Sequence, residues 1–226
     1  MKNEQPHYIG HRKRLKQRID NDPSQLHDYE LLEVILGYAL PRKDTKPLAK
    51  RLLEKYKTFK GILGASPQDL EKIQGVGPGI VTFFKTWSEF WARTEQSDIA
   101  PKSMLNSPEK VVTLARSRLI FKNIEEFWII LVDNKNRLVA FEKMSKGTVD
   151  QAPVFPREII TRTLELRASG IILVHNHPGG DPDPSLQDRE LTTKIKRIAV
   201  DMGIRILDHI IIADERHFSF QEHGYL

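Results

Sequence analysis

The sequence contains no cysteine. Disulfides, thiolate nucleophiles and thiolate metal sites are therefore excluded, and any metal must be held by His, Asp, Glu or water. No apolar run approaches the ~18 residues that a membrane-spanning helix needs. The opening stretch, MKNEQPHYIGHRKRLKQ, lacks the apolar segment of a secretory signal. These absences together lead to the expectation of a cytoplasmic protein with no membrane partner. Hydrophobic residues make up 39% and charged residues 29%, a globular rather than a disordered balance. A length of 226 residues admits one large domain or two small ones.

The net charge is +5, and it is unevenly placed. Residues 1–100 carry 17 Lys and Arg against 13 Asp and Glu, and the remainder carries 18 against 17. The basic excess is densest in HRKRLKQR, starting at His11. That suits a polyanionic partner, and it equally suits a solvated helix face.

Hydrophobic periodicity divides the chain in two. DYELLEVILGYAL, stopping at Pro41, and TKPLAKRLLEKY have apolar residues at helical spacing. SPQDLEKIQ opens with Ser66 as an N-cap and Pro67 at the first helical position, and GIVTFFKTWSEFWARTEQ completes a helical set. The polar segment TEQSDIAPKSMLNSPEK reads as a linker, which puts the boundary near residue 100: a helical domain over 1–100 and a second domain over 101–226. Beyond it, EFWIILVD and RLVAFEKMS read as strands joined by a turn at NKN. PREIITRTLELRASG reads as a helix, IILVH as a buried strand, SLQDRELTTKIKRIAVDMG as a helix and IRILDHIIIA as a strand. Alternating strands and helices predict an α/β sandwich of up to three layers.

Within this second half, LVHNHPGGDPDPSLQD concentrates the chemistry. Side chains alternate along a strand, so His175 and His177 point the same way at the end of IILVH. Asp188 falls one turn into the following helix, within reach as a third ligand. Two His and a carboxylate, with a fourth position left open, is how catalytic zinc is commonly held. Ser185 and Asp188 also read simply as an N-cap and a first-turn acid, a pairing that needs no catalysis. In LDHIII, Asp208 and His209 fall on opposite strand faces, so at most one of them reaches this site, as a partner to a ligand or in the catalysis itself; a structural role is the competing reading.

The spacing H-x-H-P-x6-S-x-x-D resembles the JAMM (MPN+) metalloprotease signature. The whole chain resembles the RadC family, bacterial proteins long labelled as DNA repair factors. The segments GHRKRLKQR, YELLEVILGYALPRKDTKPLAKRLL, GVGPG, GTVDQAPVFPREII and LDHIII carry the resemblance in order. Gly179 and Asp183 stand where Ser and Thr are expected. The resemblance implies an α/β JAMM domain of cytidine-deaminase-like fold behind an all-α helix-hairpin-helix domain. It implies zinc (Zn2+) as cofactor, held by His175, His177 and Asp188, and a peptide or protein substrate. It also implies a catalytic Glu just before an apolar run; Glu126, immediately before FWIIL, is taken for this role over Glu125. Ser185 would bind the developing oxyanion.

LEKIQGVGPGIVTFFK has the form of a helix-hairpin-helix, in which Gly75, Gly77 and Gly79 would let backbone N–H groups face a phosphate. Arg12, Lys13 and Arg14 would add charge for contact with DNA through residues 1–100. The competing reading is a glycine-rich turn between packed helices. The leading expectation is therefore a JAMM-type zinc metallopeptidase or isopeptidase with a DNA-associated first half. The alternative is a DNA repair or recombination factor whose metal site is structural or serves DNA processing.

Overall fold

The computed structural model describes residues 7–96, 103–105, 107–146 and 154–226. The chain divides into two compact units, Met1–Glu89 and Phe90–Leu226, with the division falling inside a helix.

The first unit is helical among its described residues: α1 (His7–Asn21), α2 (Asp28–Ala39), α3 (Lys46–Tyr56), α4 (Phe59–Gly64), α5 (Pro67–Glu71) and the start of α6 (Pro78–Gln96). Two of the helix starts show a local cause. Ser66 Oγ accepts the Asp69 amide at 3.1 Å and Pro67 takes the first helical position, which opens α5. Thr58 does the same for α4 by accepting from Gly61 N at 3.0 Å. Leu32, Leu36, Leu48, Leu52, Ile62, Ile80 and Phe84 meet in one core. Truncating any one of the largest of these to Ala removes about 2–5 kcal/mol.

The second unit contains α7 (Pro108–Leu119), β1 (Glu126–Val132), β2 (Leu138–Lys146), α8 (Pro156–Glu165), β3 (Gly170–Asn176), α9 (Leu186–Asp201), β4 (Arg205–Ala213) and β5 (Arg216–Ser219). The strands form one mixed sheet in the order β2-β1-β3-β4-β5. β3 and β4 are parallel and linked through α9, while the other neighbours are antiparallel. Alternation sorts the side chains. Ile130, Val132, Ile172, Val174, Ile210 and Ile212 pack with α7 residues Val112, Leu114 and Ala115 on one face. Phe127, Ile129, Leu131, Ile171 and Leu173 pack with Ile159 and Ile160 of α8 and Ile195 and Ala199 of α9 on the other. β3, covered on both faces, is buried along its whole length, which is why its sequence is a continuous apolar run.

α7 begins in the last three residues of the segment read as linker and runs on through residues to which the sequence reading assigns no element. Ser107 caps it by accepting from Lys110 N, Pro108 takes the first position, and Val111, Val112, Leu114, Ala115 and Leu119 make its buried stripe. α4 and the short edge strand β5 also go beyond the sequence reading. The described helices include none long and apolar enough to cross a membrane.

Candidate metal centre

The candidate site lies at the carboxyl end of β3, where open α/β sheets habitually place ligands. His175 is the penultimate residue of β3, completely buried on the α8/α9 face. His177 follows the strand, and its amide donates to Ile212 O at 2.9 Å, which extends the alignment with β4. The two Nε2 atoms are 2.9 Å apart. Asp188 enters from the first turn of α9, with Oδ1 3.3 Å from His175 Nε2 and Oδ2 3.6 Å from His177 Nε2. One ligand atom from each of the three residues lies within 4.8 Å of the others, a group that can hold a metal ion.

The loop between the histidines and α9 is held by polar contacts. Arg216 donates to Gly180 O at 2.6 Å, and His177 Nδ1 lies 2.7 Å from Asp181 O. A carbonyl can only accept, so His177 Nδ1 carries a proton and, in the neutral ring, the Nε2 lone pair faces the centre. Ser185 closes a capping box with Asp188: Ser185 Oγ accepts from Asp188 N at 3.1 Å, and Asp188 Oδ2 accepts from Ser185 N at 2.8 Å and Ser185 Oγ at 2.6 Å. The N-terminal helix dipole adds to the preference for a carboxylate here.

Electrostatics follow from this packing. Burial pushes His175 down to about 4, against the raising effect of Asp188. Burial also opposes charge on His177, but hydrogen bonds to Asp188 and Asp181 and the nearby carboxylates raise it. Asp188 resists burial in the same way and is held well below the usual carboxylate range by His177, His175 and Ser185.

Glu126 does not face this centre. Phe127 sits opposite His175 in the β1–β3 register and its ring stacks on the imidazole, so that face of β1 carries residues 127, 129 and 131, and Glu125, immediately before the strand, falls on the same side. Glu126 shares the other face with Trp128, whose indole N–H donates to Glu126 Oε2 at 3.1 Å, and Lys143 Nζ lies 3.8 Å from Oε1. The sequence reading puts the carboxylate of this site at Glu126; the one on the side of the histidines in the structure is Glu125. Burial raises it above the ordinary carboxyl range, Asp188 adds to that and His177 opposes it. The signal lay in strand alternation, once Phe127 is matched to His175 rather than counted from the start of the apolar run.

Asn176 points away from the centre and fastens the segment before β1: its Oδ1 accepts from Glu126 N, and its amide donates to Lys122 O and Ile124 O. Asp208 likewise faces away, accepting from Ser219 Oγ at 2.7 Å and Gln221 N at 3.0 Å. His209 lies on the metal-centre side, with Nε2 2.8 Å from His175 Nδ1 and Nδ1 2.6 Å from Thr192 Oγ1. Thr192 escaped the sequence reading, although it lies four residues after Asp188 on the same helix face.

In the first unit the structure places Arg12 otherwise than expected. Its guanidinium donates to Pro41 O at 2.7 Å and Leu40 O at 3.2 Å, and also to Lys43 O, so it is engaged with carbonyls at and beyond the end of α2 rather than presented to a phosphate. Lys13 and Arg14 are exposed on α1. Gly75 has φ +97°, while a side chain at Gly77 or Gly79 would meet nothing within 4 Å.

A mixed sheet between helices, with two histidines and an aspartate converging at the end of its central strand, defines an α/β domain equipped to hold a metal ion. The chain belongs to the RadC family: residues 105–225, more than half of its length, match the RadC-like JAB domain, and residues 11–81 match the UPF0758 N-terminal domain.

Proposed function

We propose that the second unit is a zinc-dependent hydrolase acting on a peptide or isopeptide bond, with Glu125 as the general base. The observation that carries the reading is the convergence of His175, His177 and Asp188 with a half-buried carboxylate beside them. The donor set fits the ion: two imidazole nitrogens and a carboxylate oxygen face one point, and the outward Nδ1 of each histidine already has a partner. The parallel β3–α9–β4 unit supports the cytidine-deaminase-like form of the domain.

Zn2+ held by His175, His177 and Asp188 would supply Lewis acidity to the scissile carbonyl and to the attacking water. Glu125, whose carboxyl is raised by burial, would take the proton of that water and pass it to the leaving amine. Ser185 Oγ would turn from Asp188 to the oxyanion as charge develops there. The test is zinc per chain together with turnover in a labelled-peptide and isopeptide screen, for wild type and Glu125→Gln. The expected outcome is one zinc in each protein, with turnover lowered by about 10²–10⁴ in the mutant. Full activity in Glu125→Gln would refute the base assignment. A wild type that takes up no metal would refute the site itself and leave the DNA reading of the chain.

For the first unit we propose contact with DNA phosphates through a helix-hairpin-helix at Gly75, Gly77 and Gly79 and through Lys13 and Arg14. What supports it is the open space over Gly77 and Gly79 at the start of α6, where backbone amides can meet an anion. Exposed Lys13 and Arg14 add charge. Together the two readings describe a DNA repair-related protein with a hydrolase unit.

A further inference from the structure

Thr192, His209 and His175 form a chain of polar contacts whose direction is fixed by its far end. Thr192 Oγ1 lies 2.6 Å from the backbone O of Asp188 and 2.6 Å from His209 Nδ1. A hydroxyl has one proton and a carbonyl has none to give, so Thr192 donates to Asp188 O and must accept from His209. The proton of His209 is therefore on Nδ1, which leaves Nε2 as a lone pair. That lone pair lies 2.8 Å from His175 Nδ1, so His175 donates there, and its own Nε2 is left unprotonated toward Asp188 and His177. All three side chains are buried, so water has no ready place as a substitute partner. Phe127 stacks on the His175 ring at 5.9 Å between centroids and Phe220 on the His209 ring at 4.6 Å, which keeps both rings in plane.

We infer that Thr192 and His209 are positioning residues, which set the protonated nitrogen of His175 so that a ligand lone pair is ready before the metal arrives. The contacts run in a loop: the backbone of Asp188 starts the chain at Thr192, and the carboxylate of Asp188 meets His175 at its other end. β3, β4 and α9 are thereby tied around one point. The inference rests on the metal reading above, but it makes a statement about the metal-free protein that can be checked separately.

Removing the Thr192 acceptor frees His209 to carry its proton on Nε2. That proton then faces His175 Nδ1 and drives the His175 proton to the ligand nitrogen, where a metal must displace it. Partners of this kind are worth about 10–100-fold in metal affinity.

The experiment has two arms on the full chain. Long-range 1H–15N spectra of the metal-free wild type should place the ring proton on Nδ1 of both His175 and His209; a proton on Nε2 of either overturns the inference whether or not zinc binds. Chelator competition then compares zinc affinity in wild type, Thr192→Val and Thr192→Ser, with thermal melts run on each. Thr192→Val should bind zinc about 10–100-fold more weakly, and Thr192→Ser, which keeps the hydroxyl, should recover affinity to within a few-fold of wild type. A folded Thr192→Val with wild-type zinc affinity would overturn the inference, as would a Ser variant that fails like Val. If Thr192→Val does not fold, the spectra and the Ser variant decide.

Discussion

At the scale of single residues, two adjacent glutamates have different surroundings because successive side chains along an extended chain point to opposite sides. Glu125 shares a face with Phe127 and the histidines; Glu126 accepts the Trp128 indole on the other. Glu126→Gln should therefore leave turnover within a few-fold of wild type, since an amide oxygen still accepts from the indole, while Glu125→Gln loses about 10²–10⁴. Equal losses in the two mutants would break the assignment. His175 makes a second prediction. Its folded-state value, about 4, lies below its ordinary 6.5, so the unfolded chain takes up the proton first. The stability this neutral ring contributes is whole above pH 6.5 and is lost as pH falls toward 4. His177, raised rather than lowered, works in the opposite sense. Urea midpoints of the metal-free protein should fall less steeply between pH 6.5 and 4 in His175→Gln than in wild type. An identical slope would show that His175 is not the group responsible.

At the scale of elements, the hairpin that leads to α9 separates two neighbouring glycines. A Cβ at Gly179 would meet nothing within 4 Å, whereas Gly180 has φ +81° and its Cβ would lie 2.8 Å from Asp214 Oδ2. Gly179→Ser, the residue expected there from family resemblance, should leave stability within about 0.5 kcal/mol. Gly180→Ala should cost roughly 1–3 kcal/mol from the left-handed backbone; thermal melts check both, and equal effects would contradict the geometry. The helices with long apolar stripes and the buried strands were legible because burial imposes their periods: α2, α3, α6, β1, β3, α9 and β4 fall where the spacing puts them. α7 was not, because Ser107 and Pro108 read equally as linker punctuation and as a helix start. What decides between them is the sheet face that Val112 and Leu114 cover, a tertiary fact. The site was half legible for the same reason. His175, His177 and Asp188 are close in sequence, while Glu125 comes from the segment just before β1 and His209 from β4, and both depend on a register that only the folded sheet fixes.

At the scale of the whole molecule, the basic excess belongs to the first hundred residues, but its individual charges are not equivalent. Arg12 is engaged with carbonyls following α2, whereas Lys13 and Arg14 are exposed. If the proposed DNA contact holds, the double substitution Lys13→Ala/Arg14→Ala in the full chain should weaken it across sequences alike and reduce the slope of log affinity against log salt by about 1–2. Arg12→Ala should instead lower the melting temperature. Unchanged salt dependence in the double mutant would remove α1 from the interface.

The position of β3 has one more consequence. It is the central strand, hydrogen-bonded to β1 and β4 and covered on both faces, so its amide protons should exchange with solvent only when the whole unit opens. The loop from residue 178 to 184 has no such ladder, and its amides should exchange through local openings alone. His175 should therefore stand in a slow-exchanging segment and His177 at the start of a fast one. Deuterium uptake should slow on zinc addition in both segments: in the loop because an ion bridging it to β3 would suppress its local openings, and in β3 because an ion held only by the folded unit makes whole-unit opening rarer.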